Sequence, residues 1–251
     1  MAITYEYPLN ERVRTLMRME DLFTKFNHYV VQNESLDHHA ALLALFEILE
    51  VARGDLKGDL IQELERQRQT FEPLRQNPDV NTAVLEQVLS NIRETISNLH
   101  ALTGKLGQHL RDNEWLMSIK QRACIPGGVC EFDLPSYHFW LSQEANARRA
   151  NLDAWITPFH PLREAISIIL KILRDSGQSS RRVALRGSYQ QMLSGRVAQM
   201  LRVTIHDGLP CFPEISANKY AINIRFTSLG GAAKTKACDT DVEFDLTLCA
   251  L

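Results

Sequence analysis

The chain lacks the features that mark membrane, secreted and disulfide-linked proteins. Its most apolar stretches, such as residues 40–49, are about half the ~20 residues that a membrane span needs. The first residues, MAITYEYPLNE, contain no basic segment followed by an apolar run, so no signal peptide is predicted. Five cysteines without a CxxC pair favour reduced thiols over a disulfide framework. We therefore expect a soluble, cytoplasmic protein.

Signatures of catalysis and metal binding are also missing. There is no GxSxG, no HExxH, and no GxGxxG placed after a predicted strand. The segment 230–235 resembles a phosphate loop only faintly, because Ala233 stands where a glycine should precede Lys234. Asp133 and His138 are close in sequence and leave a catalytic dyad as a minor alternative. The main expectation is a protein that is not an enzyme and holds no metal or cofactor.

The formal net charge is only -2, which argues against a general nucleic-acid binder. Positive charge is nevertheless concentrated in one region, because residues 180–230 contain seven basic side chains and two acidic ones. The basic residues of this region are Arg181, Arg182, Arg186, Arg196, Arg202, Lys219 and Arg225. A local basic excess in a mildly acidic chain favours an acidic partner at that place.

Apolar residues at spacings of three and four predict helices through most of the first 176 residues. The first helix begins near Asn10 and ends near Asn33, and its apolar face is formed by Leu9, Val13, Leu16, Met19, Phe23, Phe26 and Val30. Further helices are predicted at about 36–53, 55–76, 81–103, 107–123, 145–156 and 159–175.

After Ser180 the apolar period changes to two, which is typical of antiparallel strands with one buried face. Strands are predicted at about 129–134, 181–190, 200–207, 219–228 and 240–250. In the first strand after Ser180, Val183 and Leu185 are assigned to the buried face and Arg182 to the exposed one. The last strand is acidic on its exposed face, so we expect it to pair with basic strands if they are neighbours. Residues 230–237 are predicted to form a small flexible loop.

The predicted fold class is therefore α+β, with an N-terminal helical bundle domain and a C-terminal antiparallel β-rich domain. The helical domain is assigned to residues 1–124, joined by the helices at 145–176. The β-rich domain is assigned to residues 125–251.

Three segments of the chain resemble the ZapD family of bacterial cell-division proteins. The first is YPLNE at 7–11 with Arg14-Thr15 and Arg18-x-Glu20. The second is GQxLR at 107–111, followed by IPGGxCxFDLPxxHxWL at 125–141. The third is Lys219 with Ile224-Arg225-Phe226. The resemblance covers nearly the whole chain, and the central run is highly specific.

The resemblance implies a helical domain and a β-rich domain. It also implies a homodimer that binds the short C-terminal tail of FtsZ, the tubulin-like GTPase of the division ring. By holding two tails, such a dimer cross-links FtsZ protofilaments into bundles at midcell, without a cofactor or catalysis.

The resemblance further implies a basic tail-binding pocket. The matching positions are Arg14, His138 and Arg225, with Lys219 and Arg18 as weaker candidates. Ala221 stands where the family pattern often places another arginine, so the pocket is either less basic or compensated by Lys219. Without the resemblance, Arg14 and Arg18 would be interpreted as an ordinary solvated helix face.

The alternative function is nucleic-acid binding through the same basic sheet face. Near-neutral total charge argues against it, as does the prediction that Tyr220 and Phe226 both lie on the buried side of their strand. We therefore expect FtsZ and a second copy of the chain as partners, and no membrane or nucleic acid.

Overall fold

The structure, a computed structural model, describes residues 2–193, 198–206, 208–218, 220–230 and 234–251. It confirms the α+β fold class, with helices in the N-terminal part and antiparallel sheets in the C-terminal part. Packing divides the chain into two compact units. The helical unit is Arg18–Ile169, and the β unit is Met1–Met17 with Leu170–Leu251.

Most described helices lie close to their predicted positions, but the helix predicted at about 107–123 is divided in two, and the helix at Pro135–Leu141 was not predicted. The helices are α1 (Glu11–Val30), α2 (Ser35–Val51), α3 (Leu56–Phe71), α4 (Thr82–Ala101), α5 (Gln108–Arg111), α6 (Glu114–Ala123), α7 (Pro135–Leu141), α8 (Ala145–Ile156) and α9 (His160–Asp175). Side-chain caps fix several starts: Asn10 accepts from the Val13 amide, and Asn81 accepts from two amides of the first turn of α4. None of the helices in the described ranges has both the length and the apolar character that crossing a bilayer requires.

The strands are β1 (Ile3–Pro8), β2 (Gln178–Ala184), β3 (Ser188–Met192), β4 (Met200–Ile205), β5 (Cys211–Ala217), β6 (Ala221–Gly230), β7 (Lys234–Ala237) and β8 (Val242–Cys249). They form two sheets, ordered β1-β4-β8-β2 and β3-β6-β5, with β7 also paired to β6, and all described pairs are antiparallel. Buried side chains of both sheets share one core, in which Phe226 and Phe244 have ring centroids 5.1 Å apart.

The strand predicted at about 129–134 is wrong. These residues form successive turns, in which the Cys130 amide bonds to the Gly127 carbonyl and the Asp133 and Leu134 amides bond to the Cys130 carbonyl. Local bonds of this kind use the donors that a strand would offer to a neighbour, and Gly127 at φ +70° permits the tight backbone. Phe132, within the predicted strand, is 81% exposed.

The single strand predicted at about 181–190 is also wrong, because the chain breaks there into β2 and β3. Arg186 and Gly187 both adopt positive φ, 47° and 71°, and the two strands join different sheets. The predicted buried face of β2 is reversed, because its inner face is set by the partner strand β8. Arg182 lies opposite buried Phe244, so Ala184 is buried while Val183 is exposed.

The other three predicted strands match β4, β6 and β8 to within a few residues, although positions 207 and 219 lie outside the described residues. Two strands, β1 and β5, were not predicted, and β7 occupies part of the segment assigned to a flexible loop. The pairing predicted for the acidic strand is confirmed: β8 lies between β4 and β2, and Arg181 forms an ion pair with Glu243.

Candidate functional site

Arg225 lies on β6, the central strand of the sheet β3-β6-β5, and points away from the core. Its neighbours Ile224 and Phe226 are buried, while Arg225 and Asn223 are exposed, as the alternation predicted. In the cross-strand register, Arg225 stands between Ser188 of β3 and Glu214 of β5.

A groove of about 450 Å³ runs over this face. Its exposed polar lining is formed by Ser188, Gln190, Glu214, Ser216, Asn223 and Arg225. Within the described residues, the Arg225 guanidinium has no ion pair, although Glu214 is its register neighbour on β5. Among the described residues, this face therefore presents one cation without an ion pair, Arg225, beside the carboxylate of Glu214 and several neutral hydrogen-bonding groups. A strand-like ligand has polar partners on either side of the cation.

Arg14 is held in place within the first turns of α1. Its Nε lies 3.0 Å from the Glu11 Oε1, and its guanidinium carbon lies 5.7 Å from the centre of the Tyr7 ring. Hydrogen bonding to Glu11, and then to Tyr7, raises the pKa of Arg14 above its ordinary value. Arg14 is thus a pre-oriented cation that keeps part of its guanidinium in solvent.

Arg18 follows one turn later on α1 and is exposed. His138 is exposed on α7, and its Nε2 lies 3.7 Å from Glu131 Oε2. Lys219 lies outside the described residues, so no position is assigned to it. Ala221 begins β6 and is nearly buried, at 9% exposure, so this position adds no charge to the face.

The predicted site residues are therefore distributed over both compact units. Arg14 and Arg225 belong to the β unit, but they lie on different elements, α1 and β6. Arg18 and His138 belong to the helical unit. Of the predicted site residues that the structure describes, Arg14 and Arg18 share an element, α1.

The basic strip expected from residue 180 onward is neutralised in part: among its described arginines, Arg181 and Arg202 form ion pairs with carboxylates. The Arg202 Nε lies 3.2 Å from Glu6 Oε1. The same carboxylate accepts two hydrogen bonds from the guanidinium of Arg174. Arg181 is paired with Glu243, and His206 Nε2 lies 2.8 Å from Asp245. The strip is also divided between two sheets, so the prediction of one continuous basic face is wrong.

The geometry does not support a catalytic dyad of Asp133 and His138, because each side chain contacts a different partner. The Asp133 carboxylate accepts from Arg122 at 3.2 Å, while His138 is near Glu131 instead. Across the described ranges, no group of three or more His, Cys, Asp or Glu side chains is arranged to hold a metal ion.

Sequence reasoning missed a polar network inside the helical unit. Arg148 is 5% exposed, and its guanidinium donates to His38 Nδ1 and to the carbonyls of Asn33, Leu141 and Gln143. His38, fully buried, completes the network through Nε2 and the Gln32 carbonyl, 2.9 Å away. Nothing in a helix rich in Ala, Asn and Arg signals that one of its two adjacent arginines is buried.

Comparison with known proteins places the chain in a family. The sequence profile of ZapD, described as "Cell division protein", matches residues 17–225. The protein named "Cell division protein ZapD" from Dechloromonas aromatica (strain RCB) is 54% identical over 251 residues, which cover 99% of this chain and 100% of that protein. The resemblance inferred from the three sequence segments is thereby confirmed, and the chain belongs to the ZapD family of cell division proteins.

Proposed function

We propose that this protein binds the C-terminal tail of FtsZ and, as a homodimer, cross-links FtsZ protofilaments into bundles at the midcell division ring, in the cytoplasm. Its membership of a cell-division family gives the biological setting. The residues proposed for tail binding are Arg14, His138 and Arg225, with Arg18 and Lys219 as secondary contributors.

The observation that carries the proposal is the exposed guanidinium of Arg225 in its polar groove. An arginine on a central strand, without an ion pair in the described residues, is free to bind a carboxylate of a partner. The planar guanidinium donates two parallel hydrogen bonds to a carboxylate, which fixes orientation as well as charge. An acidic side chain of the tail matches Arg225, which stands between neutral Ser188 and acidic Glu214 in the groove.

Bundling follows from two tail sites in one dimer. A disordered tail loses conformational entropy when it binds, so each site holds one tail with modest affinity. A dimer bound to one tail of a polymer meets further tails at high effective concentration, and binding to assembled filaments is therefore much tighter than binding to a single tail.

Co-sedimentation with assembled FtsZ tests the proposal. We expect the protein to pellet with polymers of full-length FtsZ and to remain in the supernatant with polymers that lack the C-terminal tail. Electron microscopy of the same samples should show bundles only with the full-length polymer. Equal pelleting with both polymers would exclude the tail as the binding site.

Nucleic-acid binding is the less favoured function. Phe226 is buried as predicted, but Tyr220 is 61% exposed, because β6 begins at Ala221 and does not include it. One exposed ring beside this sheet does not form the row of stacking platforms that single-stranded nucleic acid requires. Retention of random DNA at physiological salt would reverse this preference.

A further inference from the structure

Strand β3 lies at one edge of its sheet. The sheet order β3-β6-β5 gives β3 a partner strand on one side only within the described part of the chain. The side chains of Ser188, Gln190 and Met192 lie on the outer face of β3 and are exposed. An edge strand of this kind presents backbone amides and carbonyls with which a further strand can pair.

Two hydrogen bonds at the ends of β3 show which of its backbone groups are free. At one end, the Leu193 amide donates to the Tyr220 carbonyl. At the other, the Phe226 amide donates to the Gly187 carbonyl. In an antiparallel pair, residues that bond to the partner strand alternate with residues that bond outward. The odd-numbered residues of β3 therefore bond to β6, and the even-numbered ones direct their amides and carbonyls away from it.

The free length of this edge begins at Gln190. The Ser188 amide already donates to the Leu185 carbonyl, in the turn that precedes β3. Gln190 and Met192 each keep an outward amide and an outward carbonyl without a partner among the described residues. An added strand can therefore pair with both residues through main-chain hydrogen bonds.

The opposite edge of the sheet, formed by β5, is less suited to an added strand. The Asn218 amide donates to the Ala221 carbonyl, so by the same alternation the odd-numbered residues of β5 face outward. Pro213 is one of these residues and has no amide to donate. Glu214 adds a carboxylate on this side of the groove, which repels an acidic ligand. The edge at β3 is therefore the one that an acidic strand would select.

The cation of the groove lies one strand in from the free edge. Arg225 stands opposite Ser188, in a pair that shares no backbone hydrogen bonds and whose Cα atoms approach to about 4.5 Å. Because Ser188 is small, the long side chain of Arg225 has room to extend over it. A strand added beside β3 would lie about 10 Å from β6, within reach of an arginine and a carboxylate side chain that extend toward each other.

From this arrangement we propose that the acidic tail adds to β3 as an extended strand, with a carboxylate on Arg225 and its backbone paired to Gln190 and Met192. The inference rests on the proposed function for the identity of the peptide, and it adds the conformation in which the peptide binds. In complexes of this type, main-chain hydrogen bonds supply affinity and alternate side chains supply specificity.

Peptides methylated on single backbone amides test the binding mode with the wild-type protein. A labelled peptide with the sequence of the FtsZ C-terminal tail is methylated at one amide at a time, and its affinity is measured by fluorescence anisotropy. Only alternate amides of an added strand donate to β3. Methylation of these amides should weaken binding about tenfold, whereas methylation of the amides between them should leave affinity nearly unchanged.

A proline substitution tests the edge from the side of the protein. Gln190→Pro removes an outward amide without breaking a hydrogen bond to β6, and proline is tolerated at such edge positions. Ala217→Pro makes the same change at an outward position of β5 and is the matched control. We expect Gln190→Pro to weaken tail binding about tenfold and Ala217→Pro to bind as the wild type, with melting temperatures unchanged in both. If Gln190→Pro does not fold, the methylated peptides decide the question alone.

The outcomes separate this inference from the proposed function. Equal affinity for all methylated peptides, or an equal loss at every position, overturns strand addition while leaving tail binding intact. A Gln190→Pro protein that binds the tail normally but no longer self-associates assigns the edge to a second copy of the chain, and it also overturns strand addition by the tail. A wild type that does not bind the unmethylated peptide overturns the proposed function and this inference together.

Discussion

Arg148 is a residue whose removal we expect to destabilise the helical unit strongly. Its buried guanidinium donates to four acceptors, His38 Nδ1 and three backbone carbonyls. Each hydrogen bond from a charged donor contributes about 1.5–3 kcal/mol, and a buried acceptor left without a donor costs a similar amount. Removal of a buried charge offsets part of this loss, because its desolvation cost disappears too. We therefore expect Arg148→Ala to lower the free energy of unfolding by about 3–5 kcal/mol.

Chemical denaturation followed by tryptophan fluorescence measures this change directly. All three tryptophans, Trp115, Trp140 and Trp155, lie in the helical unit with ring centroids 5.9–6.1 Å apart, so their emission reports on its unfolding. Arg93→Ala, at an exposed position of α4, is the control and should change stability by less than about 0.5 kcal/mol. A loss below about 1 kcal/mol for Arg148→Ala would refute the network as a stabilising element.

Two further predictions concern packing and pH. Ile92→Ala should lower the free energy of unfolding by about 2–5 kcal/mol in the same denaturation assay, because Ile92 is fully buried on α4 and its truncation leaves a cavity. A loss under about 1 kcal/mol would contradict that burial. Burial, and then the charge of Arg148, lower the pKa of His38, with Arg149 adding a smaller effect. The unfolded chain therefore takes up the His38 proton first, and the free energy of unfolding should fall as pH drops below about 6.5, by at most ~1.4 kcal/mol per pH unit from this residue. Denaturation curves between pH 7 and pH 5 should show a shallower slope in His38→Asn, and an unchanged slope would assign the effect to other groups.

The helices were predictable because their signals are local. Apolar spacing and caps placed α4 at about 81–103, against the observed Thr82–Ala101, with Asn81 as the capping side chain. The exposure of Arg225 was also predictable, because side chains alternate between the two faces of β6. Ile224 and Phe226 face the core, so Arg225 between them faces outward.

The errors arose where tertiary partners decide the outcome. Which face of β2 is buried depends on β8, some sixty positions later, and not on the sequence of β2 itself. The strand expected at about 129–134 had no neighbour to pair with, so local turns formed instead. Burial of Arg148 depends on carbonyls from two separate segments, at Asn33 and at Leu141 with Gln143, which no local pattern records.

Of the candidate site, the sequence supplied the residues but not their arrangement. Arg14, Arg18, His138 and Arg225 were identified from a family resemblance, and the structure shows Arg18, His138 and Arg225 to be exposed. These residues belong to two compact units, and the sequence does not indicate this division. The boundary falls between Met17 and Arg18, inside α1, where the helical pattern is uninterrupted.

Tail binding is tested most directly by the fluorescence anisotropy of a labelled peptide with the sequence of the FtsZ C-terminal tail. Saturable binding to the wild type should weaken at least tenfold in Arg225→Glu, and it should weaken as salt rises, because the contact is between charges. Arg93→Glu, with the same charge change on exposed α4, should bind as the wild type does. Thermal melting should be unchanged in Arg225→Glu, since an exposed strand cation contributes little to stability. Equal affinity of the wild type and Arg225→Glu for the peptide would contradict the account.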